Sequence, residues 1–223
     1  MIKQAKPVPS GRKNSAPIYQ IQVLLNGCEP PIWRRLHVPG TANLGWLHAV
    51  LQVAMGWTNS HLHHFITEDS RYTDLRYVEE TAIGGMPDRD EAKTKLMQIA
   101  HVEGAQFGYE YDFGDSWEHE IVVEKIMPPD AAAATTAVCL DGARACPPED
   151  CGGIWGYTEL LKALKNRKHP EHKQMTEWIG GTFDAEHFDA SNVNVWLQKL
   201  KWPRVTEAQL RKVLMGRDCY REE

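Results

Sequence analysis

The sequence predicts an α+β protein: an antiparallel sheet with hairpins in the first two thirds, and helices packed on it mainly from the last third. Three observations lead there. Residues alternate between two faces in Tyr19–Leu25, Ile32–Val38, Phe107–Phe113 and Trp117–Met127, the period of a strand. The chain after residue 157 reads as helices. Strands come first and helices later, which argues against alternating βαβ units.

Residues 1–16 hold Lys3, Lys6, Arg12 and Lys13 with no acid, among Pro, Ser, Gly and Asn. They read as a flexible basic arm ahead of a single α+β domain, residues 17–223. In Tyr19–Leu25, Tyr19, Ile21, Val23 and Leu25 share a face. Asn26-Gly27 signals a turn, and Ile32–Val38 is the second strand, with Ile32, Leu36 and Val38 on one side. From Leu44 to Met55 the spacing turns helical, with Thr41 or Asn43 as cap and Gly56 as stop. His48 and Gln52 fall off the apolar stripe of that helix and are expected on its solvated face.

Leu62–Thr67 reads as a strand with Arg71–Tyr77 as its partner, and residues 78–92 as a long acidic loop. Phe107–Phe113 and Trp117–Met127 form the clearest hairpin, joined by Gly114-Asp115-Ser116. In a regular register Phe113 faces Trp117, Tyr111 faces His119 and Tyr109 faces Ile121, all in the core. On the other side Asp112 then faces Glu118 and Glu110 faces Glu120; like charges in opposition destabilise a strand pair, so these acids are expected to splay into water. Helices follow at Thr158–Lys165, at Glu171–Ile179, after the cap Asp189, and after the capping box Thr206/Gln209.

Composition narrows the function. The 223 residues are 42% hydrophobic and 25% charged, which excludes wholesale disorder. The net charge of −5 argues against coating nucleic acid or an anionic membrane, and no apolar run is long enough to span a bilayer. The first 17 residues lack the apolar core of a signal peptide, and five Cys is an odd number, so a reducing, cytoplasmic setting is expected. Phosphate-binding Gly loops, Gly-x-Ser-x-Gly elbows and His-Glu-x-x-His motifs are absent, so composition and motifs assign no reaction.

Several strings carry a resemblance: Pro30-Pro31-Ile32-Trp33-Arg34-Arg35; His61-Leu62-His63-His64-Phe65; Tyr109-Glu110-Tyr111-Asp112-Phe113-Gly114-Asp115-Ser116-Trp117-Glu118-His119; Cys146-Pro147-Pro148-Glu149-Asp150-Cys151-Gly152-Gly153 with Tyr157; and Phe183-Asp184 before Asn192. Together they resemble the Ri-plasmid ORF-3-like family, passenger proteins of insertion elements, over about residues 17–200. The resemblance implies a mobile-element-associated accessory or binding protein. It carries over no catalytic residue.

Cys139, Cys146 and Cys151 cluster in sequence, with six and then four residues between them. Pro147-Pro148 stiffens the connection, and Gly152-Gly153 lets the backbone turn close to an ion. The expectation is structural zinc on these three thiolates. His61 or His63, which share a strand face, is the preferred fourth ligand, ahead of His119, Glu149 or Asp150. The alternatives are a metal-dependent hydrolase or nuclease using His61, His63, His119 and the Asp112–Asp115 loop, and a weak DNA-binding accessory protein using the arm with Lys199, Lys201, Arg204, Arg211, Lys212 and Arg217. The expected partner is a protein or a small ligand rather than a specific DNA sequence.

Overall fold

A computed structural model describes residues 16–77, 87–130 and 133–216. The basic arm, most of the acidic loop and Cys219 lie outside them. Eight strands form one sheet: β1 (Ile18–Leu25), β2 (Ile32–Pro39), β3 (His63–Ile66), β4 (Arg71–Thr73), β5 (Asp88–Asp90), β6 (Gln106–Tyr111), β7 (Trp117–Met127) and β8 (Val138–Ala143). Their order is β5-β4-β3-β6-β7-β1-β2-β8, and every pairing is antiparallel except β4 with β5. Six helices complete the α+β fold: α1 (Leu44–Met55), α2 (Leu96–Ile99), α3 (Gly153–Lys165), α4 (His172–Ile179), α5 (Ala190–Leu197) and α6 (Glu207–Met215). None of the described helices is long and apolar enough to cross a membrane.

The alternation read from the sequence sets the core. Ile21, Val23, Leu36, Tyr109, Tyr111, Trp117 and Ile121 point to one face and are buried, and α1 supplies the other wall with Trp46, Leu47, Val50 and Leu51. Asn43 caps α1 by accepting from Trp46 N (2.7 Å), and Gly56 ends it at φ 114°. On the opposite face of the sheet, polar side chains pair across strands. Glu124 takes both Arg35 Nε (2.7 Å) and Nη2 (2.8 Å), and also Gln20 Nε2 (2.7 Å).

Several expectations are corrected. His48 and Gln52 are buried, 5% and 0% exposed, because α1 is enclosed on nearly every side. The main hairpin pairs Tyr111 with Trp117, Tyr109 with His119 and Phe107 with Ile121, two residues away from the regular register. The cause is Asp112, which leaves the strand at φ 59°, accepts Gly114 N on Oδ1 (3.0 Å) and accepts Ser116 N on its carbonyl (2.6 Å). The turn is therefore longer, and Phe113 is 47% exposed instead of core. The shift of two keeps each face intact. It also sets Glu110 opposite Glu118, with His64 Nε2 3.0 Å from Glu110 Oε2. Strand β5 occupies part of the acidic loop, β8 arises from a stretch with no strand signal, and α3 begins five residues before Thr158. At the β8 edge, Asn194 of α5 accepts Cys139 N on Oδ1 (2.7 Å) and donates Nδ2 to Cys139 O (2.8 Å).

Candidate functional site

Three loops meet beside the end of β6: residues 57–61 after α1, the turn 112–116, and residues 147–152. Their junction is held by specific bonds. Glu149 Oε1 accepts Thr58 N (2.8 Å) and the Tyr111 hydroxyl (2.7 Å), and Glu149 Oε2 accepts the Thr58 hydroxyl. The Tyr111 oxygen in turn accepts Ser60 N (2.9 Å). Trp57 Nε1 donates to Pro147 O (3.2 Å). Across the junction Asp115 Oδ2 accepts Gly152 N (3.1 Å), and Gly153, at φ 66°, brings its Cα so near Asp115 that a Cβ would sit 2.5 Å from the carbonyl oxygen. Only glycine closes this contact.

The product of this scaffold is a cluster of side chains. His61 Nε2 lies 3.0 Å from Asp150 Oδ1 and 3.5 Å from Asp112 Oδ2. Among the described residues, these are the three His, Cys, Asp or Glu side chains whose ligand atoms all fall within 4.8 Å of one another. Asp112 is buried, 7% exposed, whereas the Asp150 side chain is 69% exposed, so the cluster has a floor and an open side. Both aspartates hold left-handed φ of 59°, which non-glycine residues adopt rarely and Asp more readily than most. An imidazole with two carboxylates is a donor set for a divalent cation of the Mn, Mg or Zn kind.

The family model of plasmid pRiA4b ORF-3-like proteins matches residues 17–192, which contain all three loops. The chain belongs to this family. Within the ORF-3-like proteins it is similar to the uncharacterized protein y4hQ of Sinorhizobium fredii (strain NBRC 101917 / NGR234), 38% identical over 200 residues, 85% of this chain and 96% of that one. It is also similar to the crystal structure of MM3350, a protein of unknown function from Methanosarcina mazei Go1, with a TM-score of 0.71 and 33% identity over 80% of this chain and 98% of that one. Three of the strings quoted above, His61–Phe65, Tyr109–His119 and Cys146–Gly153, supply residues of the junction.

Other residues singled out from the sequence lie elsewhere in this ORF-3-like chain. His63 is turned away from His61 into a buried network. Its ring stacks on His48 with centroids 3.4 Å apart and planes 3° from parallel, and its Nε2 lies 2.8 Å from Glu91 Oε2. Asn59 Oδ1 can only accept, so the His48 proton sits on Nε2 (2.7 Å), and Nδ1 accepts the Tyr109 hydroxyl (2.9 Å). Gln52 completes the network by donating to Tyr109 (3.1 Å) and accepting Asn59 N (2.8 Å). Burial lowers both histidines to about 3 and raises Glu91 to about 7. The His63–Glu91 contact is therefore a neutral pair, with the proton on Glu91 below that value.

His119 is a core residue. Its Nδ1 donates to Tyr109 O (3.1 Å), and burial lowers it to about 4. Of the cysteines, Cys139 and Cys146 are buried and Cys151 is half-buried; the thiol of Cys139 turns to Asp141 O (3.6 Å). Burial pushes Cys139 to about 11 and Cys151 to about 12, and Cys146 well above its usual range. Cys146 and Cys151 feel each other and also Cys28, which the sequence spacing left alone. Arg34, fully enclosed, fixes the surrounding backbone by donating to Ala54 O, Trp33 O, Ala143 O and Arg144 O (2.8–2.9 Å). Sequence reasoning missed His48 and Glu91 as site-like residues. Their signal is three-dimensional: one lies on a helix and the other in an acidic loop.

Proposed function

We propose that the chain binds a divalent cation through His61 Nε2, Asp112 Oδ2 and Asp150 Oδ1 and acts as a metal-dependent hydrolase of the phosphoester class. The observation that carries this reading is the convergence of these three side chains at one partly open point. Three protein ligands leave coordination positions for water and substrate, the arrangement of a catalytic rather than a closed structural site. A cation there would acidify a bound water and polarise a phosphoryl oxygen. Asp115 and Glu149, committed to backbone and hydroxyl partners, position the loops.

The test is titration of the purified chain with Mn(II), Mg(II) and Zn(II), with hydrolysis of bis(4-nitrophenyl) phosphate as the activity probe. The expected result is saturable binding of at least one ion and hydrolysis that depends on it, both lost in His61→Ala and Asp112→Asn. Failure of all three ions to bind below about 1 mM overturns the reading. Structural zinc on Cys139, Cys146 and Cys151 is the second reading; their sulfurs do not gather within 4.8 Å of one another, so zinc there would have to draw them together. It requires tightly held zinc that falls with Cys146→Ser and not with His61→Ala.

A further inference from the structure

Away from the histidine–carboxylate cluster, a cavity of about 570 Å³ opens between the β1–β2 loop (Gly27, Cys28, Glu29), α3 and the loop 183–186. Its apolar lining comes from Ile154, Leu161 and Phe183. Tyr157 lines it too, 3% exposed, its ring edge-on to Phe183 at 6.2 Å between centroids. Among the described residues the Tyr157 hydroxyl has no hydrogen-bond partner. A buried hydroxyl left unpaired is unfavourable, and native folds rarely keep one without a reason.

Arg144 stands beside it, 7% exposed and also lining the cavity. Its Nε donates to Glu186 Oε1 (3.0 Å) and its Nη1 to Pro30 O (2.7 Å), which leaves Nη2 over. The arginine's charge pulls the Tyr157 hydroxyl down in pKa against the larger upward effect of burial, as two neighbours must. Cys28, pushed up to about 11 by burial, is a neutral thiol near pH 7 and brings no competing anion.

We propose that this cavity binds a small monocarboxylate with an apolar, ring-sized body, its carboxylate taken by Tyr157 Oη and Arg144 Nη2. The guanidinium edge and the hydroxyl supply charge-assisted donors, and the Ile154, Leu161 and Phe183 walls take the body. Glu29, Asp184 and Glu186 also border the space; of the two lysines there Lys162 is engaged with Glu159 (2.7 Å) and Lys165 alone stands against the three acids, so a dianion such as a phosphate monoester meets more repulsion than a single carboxylate.

Calorimetry on the full chain without added divalent cation tests this independently of the metal reading. The probes are phenylacetate, its neutral analogue phenylacetamide and the dianion phenyl phosphate. Phenylacetate is expected to bind saturably, and the other two at least about tenfold more weakly. Tyr157→Phe is expected to lose about tenfold in phenylacetate affinity with an unchanged or higher melting temperature, since no internal bond is removed. Thr158→Trp, on the exposed side of α3 at the cavity wall, is expected to block binding and leave the fold intact. No saturation by phenylacetate up to about 10 mM overturns the proposal. So does equal or tighter binding of either analogue, or a Tyr157→Phe chain that melts lower and binds as before.

Discussion

His61 and His63 are two residues apart, yet they occupy opposite chemical settings. His63 is 9% exposed, stacked on His48 and hydrogen-bonded to a carboxyl that holds its own proton. His61 has a side chain 28% exposed and faces two aspartates across an opening. The alternation of a strand puts both on one face, but β3 begins only at His63. His61 lies before the strand, where Tyr111 and Glu149 hold the backbone instead of a sheet partner. A His-x-His pair thus divides into a structural residue and a member of the open cluster according to where the strand starts.

The largest expected effect separates the two. His63→Ala leaves the Glu91 carboxyl and one face of His48 without partners, and should cost about 3–5 kcal/mol in urea denaturation. His61→Ala should cost under about 1 kcal/mol. Equal penalties would erase the distinction.

The pH dependence sharpens it further. Glu91 is raised from 4.5 to about 7, so its contribution to stability is present at low pH and fades as pH rises through 7. His48 and His63 are lowered from 6.5 to about 3, so theirs is present above 6.5 and fades as pH falls toward 3. From these three groups stability peaks between pH 6 and 7. Glu91→Gln removes the loss on the alkaline side and should gain about 1–3 kcal/mol on the wild type between about pH 5 and pH 8. A gap that does not change with pH would mean that Glu91 is charged throughout.

The open cluster should respond in binding and hardly in stability. Asp112→Asn keeps the acceptor for Gly114 N and tolerates the left-handed backbone, so a change within about 1 kcal/mol is expected. Cation affinity should fall at least about tenfold. The smallest effect is Asp150→Asn, within about 0.5 kcal/mol because its side chain is mostly in water, again with weaker cation binding by titration. Loss of fold in either variant would make these aspartates structural.

Much of the fold was legible because strand period and caps are local signals. The β1–β2 and β6–β7 hairpins, α1 with its Asn43 cap and α6 with its capping box follow from them. The register of β6–β7 was not, because it depends on Asp112 leaving the strand early. Strand β8, Val138–Ala143, carries Asp, Gly and Ala, poor strand formers that pair because β2 offers them an edge. Of the site, His61 and Asp112 could be proposed from the sequence. Their meeting with Asp150 needed the bonds of Glu149 to Thr58 and Tyr111, which join residues 91 and 38 positions apart. Glu91 looked like any acid in a polar loop, since nothing nearby in sequence announces that it is enclosed against Gly45 of α1.

The amide of Asn194 has a consequence for how the molecule behaves in a crowd. By bonding both main-chain groups of Cys139, it mimics the next strand at the last position of the sheet, with Val138 and Leu140 exposed on either side. A bare edge of this kind would invite the same segment of another copy to dock and continue the sheet. One side chain therefore does the work of a missing neighbour, and light scattering of Asn194→Ala is expected to show particles that grow with concentration more than those of the wild type.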